Sequence, residues 1–81
     1  MNRFDLTQMN QGEMGKIIDI QGGFGLFQKL EALGIRTGVK ITKVSAQFMR
    51  GPITVQVNNS QVAIGFGMAQ RIIVEQSNEK G

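Results

Sequence analysis

The chain contains neither cysteine nor histidine in its 81 residues. Without cysteine there are no disulfide bonds and no thiolate metal sites, and without histidine the commonest nitrogen ligand of transition metals is also missing. The six carboxylates follow no calcium-loop spacing. Glu13 could approach Asp5 or Asp19 in space, but we interpret all three as solvated surface groups. We therefore predict no metal site and no cofactor.

The missing histidine also argues against catalysis. Ser45 and Ser60 have no imidazole partner that could activate their hydroxyl groups. The lysines lie among other positive charges without a recognisable nucleophile arrangement. We predict that the protein is not an enzyme and has no catalytic residue.

Long apolar runs are absent as well. No segment approaches the ~18 consecutive apolar residues that span a bilayer. The amino-terminal segment MNRFDLTQMNQGEMG carries two acids and lacks the apolar core of a secretory signal. We expect a soluble, cytoplasmic protein without direct membrane insertion.

Acidic residues are missing from the whole stretch between Ala32 and Val74, although the net charge of the chain is only +3. The basic residues of this stretch are Arg36, Lys40, Lys43, Arg50 and Arg71. Two interpretations stay open. The charges belong to a solvated surface on which acidic and basic residues are unevenly distributed by chance, or they form a mildly basic face for an acidic partner.

Glycine is abundant, with eleven residues against a single proline, which favours short strands joined by tight turns. After an irregular lead-in whose Phe4, Leu6 and Met9 cover one end of the core, GKIIDI predicts the first strand. A helix from about Phe24 to Leu33 should follow. Its apolar stripe is formed by Leu26, Phe27, Leu30 and Leu33.

The segment LEALGIRTGVKI contains two glycines with separate structural roles. Gly34 follows the predicted helix, where glycine adopts the left-handed conformation that ends a helix, and Ile35 can then fold back onto the last turn. Gly38 supplies the positive φ of a tight turn before the next strand. A phosphate-binding loop would need a lysine and a hydroxyl residue after its second glycine, so we interpret both glycines as structural.

The second half of the chain is rich in strand patterns. VKITKVS, PITVQV, QVAIG and RIIVE predict four short strands, with a turn at Asn58–Ser60 and one helical turn at FGMAQ. We predict one domain over residues 1–75 and a flexible polar tail over 76–81. The fold class is mainly β, with about five strands forming a small barrel and one short α-helix inserted after the first strand.

This order of elements resembles the FeoA family of small SH3-like barrels, which are associated with bacterial ferrous iron uptake. The matching segments are GEMGKIIDI, LEALGIRTGVKI, GPITVQVNNSQVAIG and MAQRIIV. The resemblance implies a cytoplasmic accessory protein that acts by contact with the membrane iron transporter FeoB. The same barrel also occurs as the C-terminal domain of iron-dependent repressors, so a free-standing relative of that domain is an alternative.

Nucleic-acid binding is a second alternative, because small barrels with a basic stretch often serve it. Stacking platforms need exposed aromatic residues among the basic ones, and the chain has no tyrosine or tryptophan. Only Phe48, two residues before Arg50, has this arrangement. We therefore favour protein binding and expect no nucleic-acid partner.

The segment SAQFMRGP is the predicted partner surface. Phe48 and Met49 are adjacent, so in an extended chain they point to opposite sides and at least one should be exposed. Arg50 would complement an acidic groove of the transporter, with Lys40 and Lys43 steering the approach. The alternatives are that both apolar side chains tuck under the barrel or pack in a homo-oligomer.

Loop arginines are also candidates for stimulating nucleotide hydrolysis by a GTPase partner, because an inserted arginine often provides that stimulation. Arg36 and Arg50 are the two candidates, and we favour a surface role for both.

Overall fold

A computed structural model describes residues 3–76 of the chain. The strands are β1 (Arg3–Asp5), β2 (Met14–Ile20), β3 (Lys40–Ala46), β4 (Ile53–Val57), β5 (Ser60–Ile64) and β6 (Ile72–Gln76). The helices are α1 (Phe24–Ala32) and α2 (Phe66–Ala69), and a short 3₁₀ turn covers Leu6–Gln8. Of the predicted tail over 76–81, Gln76 is the last residue of β6 and the remainder lies outside the described residues.

All six strands form one antiparallel sheet in the order β1-β6-β2-β3-β4-β5. The pairing register shifts within β2 and within β3, and such bulges increase the twist that curls a sheet. The predicted fold class, mainly β with a short α-helix, is confirmed.

The strand count differs from the prediction because the amino-terminal lead-in contains β1. Its three residues pair only with the distant β6, where Arg3 lies opposite Glu75. So short a strand has no periodic pattern of its own and depends on a partner about 70 residues away along the chain. As a result α1 follows the second strand rather than the first.

The core lies between the inner face of the sheet and the two helices. Along β4, residues Ile53, Val55 and Val57 are buried while Gln56 is exposed, as period-two alternation requires. The other buried apolar residues come from every part of the described chain: Leu6, Met9, Ile17, Leu30, Ile35, Ile41, Ile64, Ala69, Ile72 and Val74.

The apolar stripe predicted for α1 is only partly buried. Leu30 is fully buried and Leu26 packs against the core, but Phe27 is 37% exposed and Leu33 is 40% exposed. On a nine-residue helix Leu26 and Leu30, four residues apart, share the central line of contact with the sheet. Phe27 and Leu33 flank that line on opposite sides, so the prediction that they pack in the core is wrong.

The end of α1 is a Schellman motif, which confirms the predicted role of Gly34. Gly34 has φ +86°, its N–H donates to the Glu31 carbonyl at 2.9 Å, and the Ile35 N–H donates to the Leu30 carbonyl at 2.9 Å. Leu30 and Ile35 are both fully buried, so the apolar contact that accompanies this cap is present. Gly38, with φ +91°, forms the predicted turn, closed by the Val39 N–H and the Arg36 carbonyl at 3.2 Å.

Substitution of Gly34→Ala should lower the free energy of unfolding by about 1 kcal/mol, because a Cβ is disfavoured at positive φ. The added methyl would meet no atom closer than 3.8 Å, so φ strain is the only expected cost. Urea unfolding measures the change. Gly25→Ala is the matched control, because Gly25 lies inside α1 with open space around it and alanine favours helix. An unchanged midpoint for Gly34→Ala would contradict the cap assignment.

None of the helices among residues 3–76 has the length and hydropathy needed to cross a bilayer.

Candidate functional site

The loop that joins β3 to β4 ends in a tight turn, which we call the β3–β4 tip and define as residues 47–52. The Gln47 N–H donates to the Pro52 carbonyl at 3.3 Å, which extends the hairpin beyond the strands. The Gly51 N–H then donates to the Phe48 carbonyl at 3.2 Å. Met49 and Arg50 are therefore the two central residues of a β-turn.

Both central residues of this turn have left-handed backbone conformations, with φ 59° for Met49 and 62° for Arg50. Positive φ at both central positions defines the type I′ turn, which joins hairpin strands with the correct twist. Such turns favour Asn-Gly because a larger side chain costs about 1–2 kcal/mol at each left-handed position. The β3–β4 tip therefore holds a turn conformation that its own residue types do not favour.

The side chains at the tip are almost completely exposed, at 95% for Phe48 and 96% for Met49. The prediction that at least one would be exposed is confirmed. Both are exposed because the backbone turns back on itself here, whereas the prediction assumed an extended chain. Full exposure of two adjacent large apolar side chains is unfavourable in water and is typical of a surface that another molecule covers.

Arg50 is the charged residue of the tip, and it connects the tip to the body of the domain. Its guanidinium carbon lies 5.9 Å from the centre of the Phe66 ring, within the range of a cation–π contact. Phe66 is the first residue of α2 and packs partly against the core. This contact limits the orientations of Arg50 and keeps its charge beside the exposed apolar pair.

Lys40 is exposed but lies far from the tip, because it is the first residue of β3 and the tip follows the last. Seven residues of strand span about 20 Å. Lys40 instead lies opposite Lys16 of β2, near the turn that contains Arg36. The structure therefore does not bring Lys40 or Arg36 together with Phe48, Met49 and Arg50.

Lys43 is the clearest correction to the predicted partner surface, since its side chain is only 6% exposed. Its ammonium group donates to the Met9 carbonyl at 2.6 Å and to the Thr7 carbonyl at 3.2 Å. It thereby fastens the 3₁₀ turn to β3 and cannot contact a partner. Strand alternation was the available signal, because Lys43 falls on the same inward face as Ile41.

Burial lowers the pKa of Lys43 from its usual value near 10.5, and the nearby carboxylates of Asp5 and Glu13 partly oppose this shift. These two acids are themselves engaged in local hydrogen bonds. Asp5 accepts from the Thr7 N–H at 2.8 Å and from the Thr7 hydroxyl. Glu13 accepts from the Asn10 N–H at 2.7 Å and from the Gln76 amide at 2.9 Å. The interpretation as freely solvated carboxylates is therefore wrong for Asp5 and Glu13, whereas Asp19 is exposed.

Within the part of the chain that the structure describes, no three or more acidic side chains lie close enough to hold a metal ion together. Asp5 and Glu13 lie near the Lys43 ammonium, and their charges act to raise its pKa. The cation that these two carboxylates stabilise is therefore the Lys43 side chain itself.

A second group of exposed apolar side chains lies on α1 and was not predicted. Phe24 is 72% exposed at the first position of the helix, one turn before the partly exposed Phe27. The signal in the sequence was an excess of apolar residues over what one short helix can bury on a single face. We treat this surface as a competitor to the β3–β4 tip.

Comparison with known proteins connects this fold to ferrous iron transport. The FeoA domain family model matches residues 4–76. A Methanocaldococcus jannaschii protein described as an Fe(2+) transport protein A is 32% identical over 78 residues, which cover 96% of this chain and 93% of that protein.

Solved structures agree with the sequence comparisons. The crystal structure of an iron uptake regulatory protein, FeoA, is 31% identical with a TM-score of 0.86, covering 95% of this chain and 100% of that one. A manganese-dependent transcriptional repressor has the same TM-score of 0.86 at 20% identity, with 93% of this chain matching 42% of the repressor. The second likeness shows a shared fold only.

Proposed function

The chain belongs to the FeoA domain family, and on that premise we propose that it is a non-enzymatic cytoplasmic accessory of ferrous iron uptake that binds the cytoplasmic part of the transporter FeoB. The β3–β4 tip is the proposed contact surface. The iron ion is the cargo of the transporter in this proposal, and the accessory protein acts through protein contact alone.

The observation that carries this proposal is the strained and exposed geometry of the tip. Met49 and Arg50 are both left-handed, and Phe48 and Met49 are at least 95% exposed. Selection for folding alone would favour Asn-Gly in the turn and polar residues beside it. Burial of Phe48 and Met49 in a pocket of the partner would be favourable, because it removes their apolar surface from water.

The charge at the tip indicates what such a pocket contains. The Phe66 contact limits the orientations of Arg50, so an acidic group at the rim of the pocket can pair with it at a reduced cost in side-chain entropy. Lys43 is buried and takes no part. Lys40 lies about 20 Å away along β3, so it contributes only a long-range field that salt screens.

Replacing the apolar pair tests the proposed surface. We expect Phe48→Ser with Met49→Ser to weaken binding to the cytoplasmic part of FeoB at least about tenfold, because truncating buried apolar anchors at an interface commonly costs more than 1.4 kcal/mol. Affinity is measured by calorimetry or by pull-down with purified domains. Circular dichroism and the unfolding midpoint should stay near those of the original protein, since both side chains contact almost nothing.

Phe24→Ser is the matched control, because Phe24 is also a strongly exposed phenylalanine but belongs to α1. It should leave the affinity unchanged. A tip variant that is folded and binds with the original affinity removes the tip from the interface. Loss of binding in Phe24→Ser alone would assign the contact to α1 instead.

Rates of nucleotide hydrolysis by the transporter, measured in the same samples, separate contact from stimulation. Arg50 is the better placed of the two candidate arginines, because it belongs to the tip while Arg36 lies at the opposite end of β3. The Phe66 contact holds Arg50 beside its own domain, which favours a surface role over insertion into a nucleotide site.

Nucleic-acid binding is the competing function, and the buried position of Lys43 weakens it by removing one charge from the basic stretch. Phe48 beside Arg50 is the feature that favours it, as an exposed ring next to a cation can stack on a base. A salt titration with generic RNA or DNA decides, since phosphate contacts lose affinity steeply with salt.

A further inference from the structure

The two edge strands of the sheet differ in how they are protected. β1 is three residues long and carries Arg3 and Asp5, whereas β5 is five residues long with the sequence SQVAI. Natural edge strands are usually short or carry charges and prolines that discourage pairing with another chain. β5 has none of these features and is followed directly by Gly65.

The backbone groups on the free side of β5 can be assigned from the hairpin that joins β4 to β5. Val57 and Ser60 close a two-residue turn, so they form a pair that exchanges both hydrogen bonds. Alternation then makes Gln61 and Ala63 the residues whose N–H and C=O groups point away from β4. Within residues 3–76, β4 is the strand that pairs with β5, and no backbone hydrogen bond to another segment engages Gln61 or Ala63.

The side chains of these two residues leave the edge accessible. Gln61 and Ala63 are both exposed, while Val62 between them is half-buried on the inner face and packs against the core. An incoming strand therefore meets an amide and a methyl group on the outer face, and neither is bulky enough to exclude it.

We propose that β5 is a self-association edge, on which β5 of a second copy of this chain pairs antiparallel about a two-fold axis at Val62. In this register Gln61 of each copy lies opposite Ala63 of the other, and each of these two pairs exchanges both backbone hydrogen bonds. The two Val62 side chains meet at the axis, a β-branched pair that suits a sheet. Two six-stranded sheets thereby become one continuous sheet.

A second copy of the chain suits this edge better than a charged partner does. When a strand pairs with its own copy, any charge on it meets the same charge, so an uncharged strand is the kind that can pair with itself. A charge on an outward position of β5 would stand close to its own copy across the axis, and β5 has no charge at any position. A two-fold interface is also the commonest form of self-association. The edge is distinct from the proposed FeoB surface, so each is tested without the other.

The test uses two double variants with opposite charge. Gln61→Lys with Ala63→Lys places lysine opposite lysine in the two-fold register, and Gln61→Glu with Ala63→Glu places glutamate opposite glutamate. We expect the original protein to associate weakly, with a dissociation constant of about 0.1–1 mM, because one strand pair buries little area. Each double variant should associate at least about tenfold more weakly, and an equimolar mixture of the two should regain association.

Sedimentation equilibrium measures association, and amide exchange of Gln61 and Ala63 reports the edge itself. Both amides should gain protection as the concentration of the original protein rises. Circular dichroism confirms that the variants are folded, which is expected because both positions are exposed. A protein that stays monomeric up to about 1 mM overturns the proposal. Association that both variants retain overturns it too, as does a mixture that fails to regain association.

Discussion

Replacement of Lys43→Met should lower the free energy of unfolding by about 3 kcal/mol, because two backbone carbonyls would lose the group that donates to them. The ammonium group donates to the carbonyls of Thr7 and Met9, at 3.2 and 2.6 Å. Methionine fills the same space without a donor, so the buried Met9 carbonyl and the partly buried Thr7 carbonyl would both be left without a partner from Lys43. The 3₁₀ turn would also lose its attachment to β3.

Urea or thermal unfolding measures this effect, and Lys40→Met is the matched control. Lys40 belongs to the same strand but is exposed, so its replacement should change stability by less than about 0.5 kcal/mol. Equal midpoints for the two variants would show that the Lys43 bonds contribute nothing to stability. Separation of the 3₁₀ turn from β3 in the Lys43 variant should also raise amide exchange of Met9, whose N–H bonds to the Leu6 carbonyl.

The same lysine predicts a dependence of stability on alkaline pH. Its pKa is lowered by burial in the folded state, so between that lowered pKa and 10.5 the unfolded chain holds the proton more often than the folded one. By linkage, stability from this group rises as pH increases through that interval and is constant below it. Lys43→Met should abolish this rise.

The sequence was sufficient for features whose cause is local. Gly34 and Gly38 have positive φ in the structure because the residues around them form a helix end and a tight turn, and both signals lie within a few positions. The strands from β2 to β6 were predicted for the same reason, since alternation of apolar residues is visible within each segment.

Features set by distant parts of the chain were missed. β1 exists through pairing with β6, and the burial of Lys43 depends on carbonyls of the 3₁₀ turn. Lys43 was assigned to the surface by residue type, although its place in the alternation of β3 indicated the inner face. On α1, the sequence gives apolar positions but not the angle at which the helix meets the sheet, which leaves Phe27 and Leu33 partly exposed.

The residues of the candidate site also separate into those that local sequence predicts and those that it does not. Proximity in sequence brings Phe48, Met49 and Arg50 together at the tip, whereas Lys40 lies at the far end of β3 and the side chain of Lys43 is buried. The left-handed conformations of Met49 and Arg50 could not be predicted, because neither residue type favours positive φ. This mismatch between residue and conformation leads to the second large prediction.

Replacing the turn with the residues that its geometry favours should stabilise the fold and abolish the proposed interaction at the same time. We expect Met49→Asn with Arg50→Gly to raise the free energy of unfolding by about 2 kcal/mol, because asparagine tolerates the left-handed conformation and glycine adopts it without steric cost. This value already includes a loss of about 0.5–1 kcal/mol, because the variant also removes the contact between Arg50 and Phe66. Binding to FeoB should weaken at least about tenfold.

Met49→Ser with Arg50→Ser separates the two effects. This variant removes the same side chains and the same Phe66 contact, but serine favours the left-handed conformation less than asparagine or glycine does. It should therefore bind as poorly as the Asn-Gly variant without the gain in stability.

If the two variants unfold at the same urea concentration, the turn is not strained and its residues need no functional explanation. A stabilised Asn-Gly variant that still binds FeoB fully would instead show that the strain serves something other than this contact. Stability gained together with binding lost is the result that a functional turn predicts, because natural sequences depart from local preference mainly where function requires it.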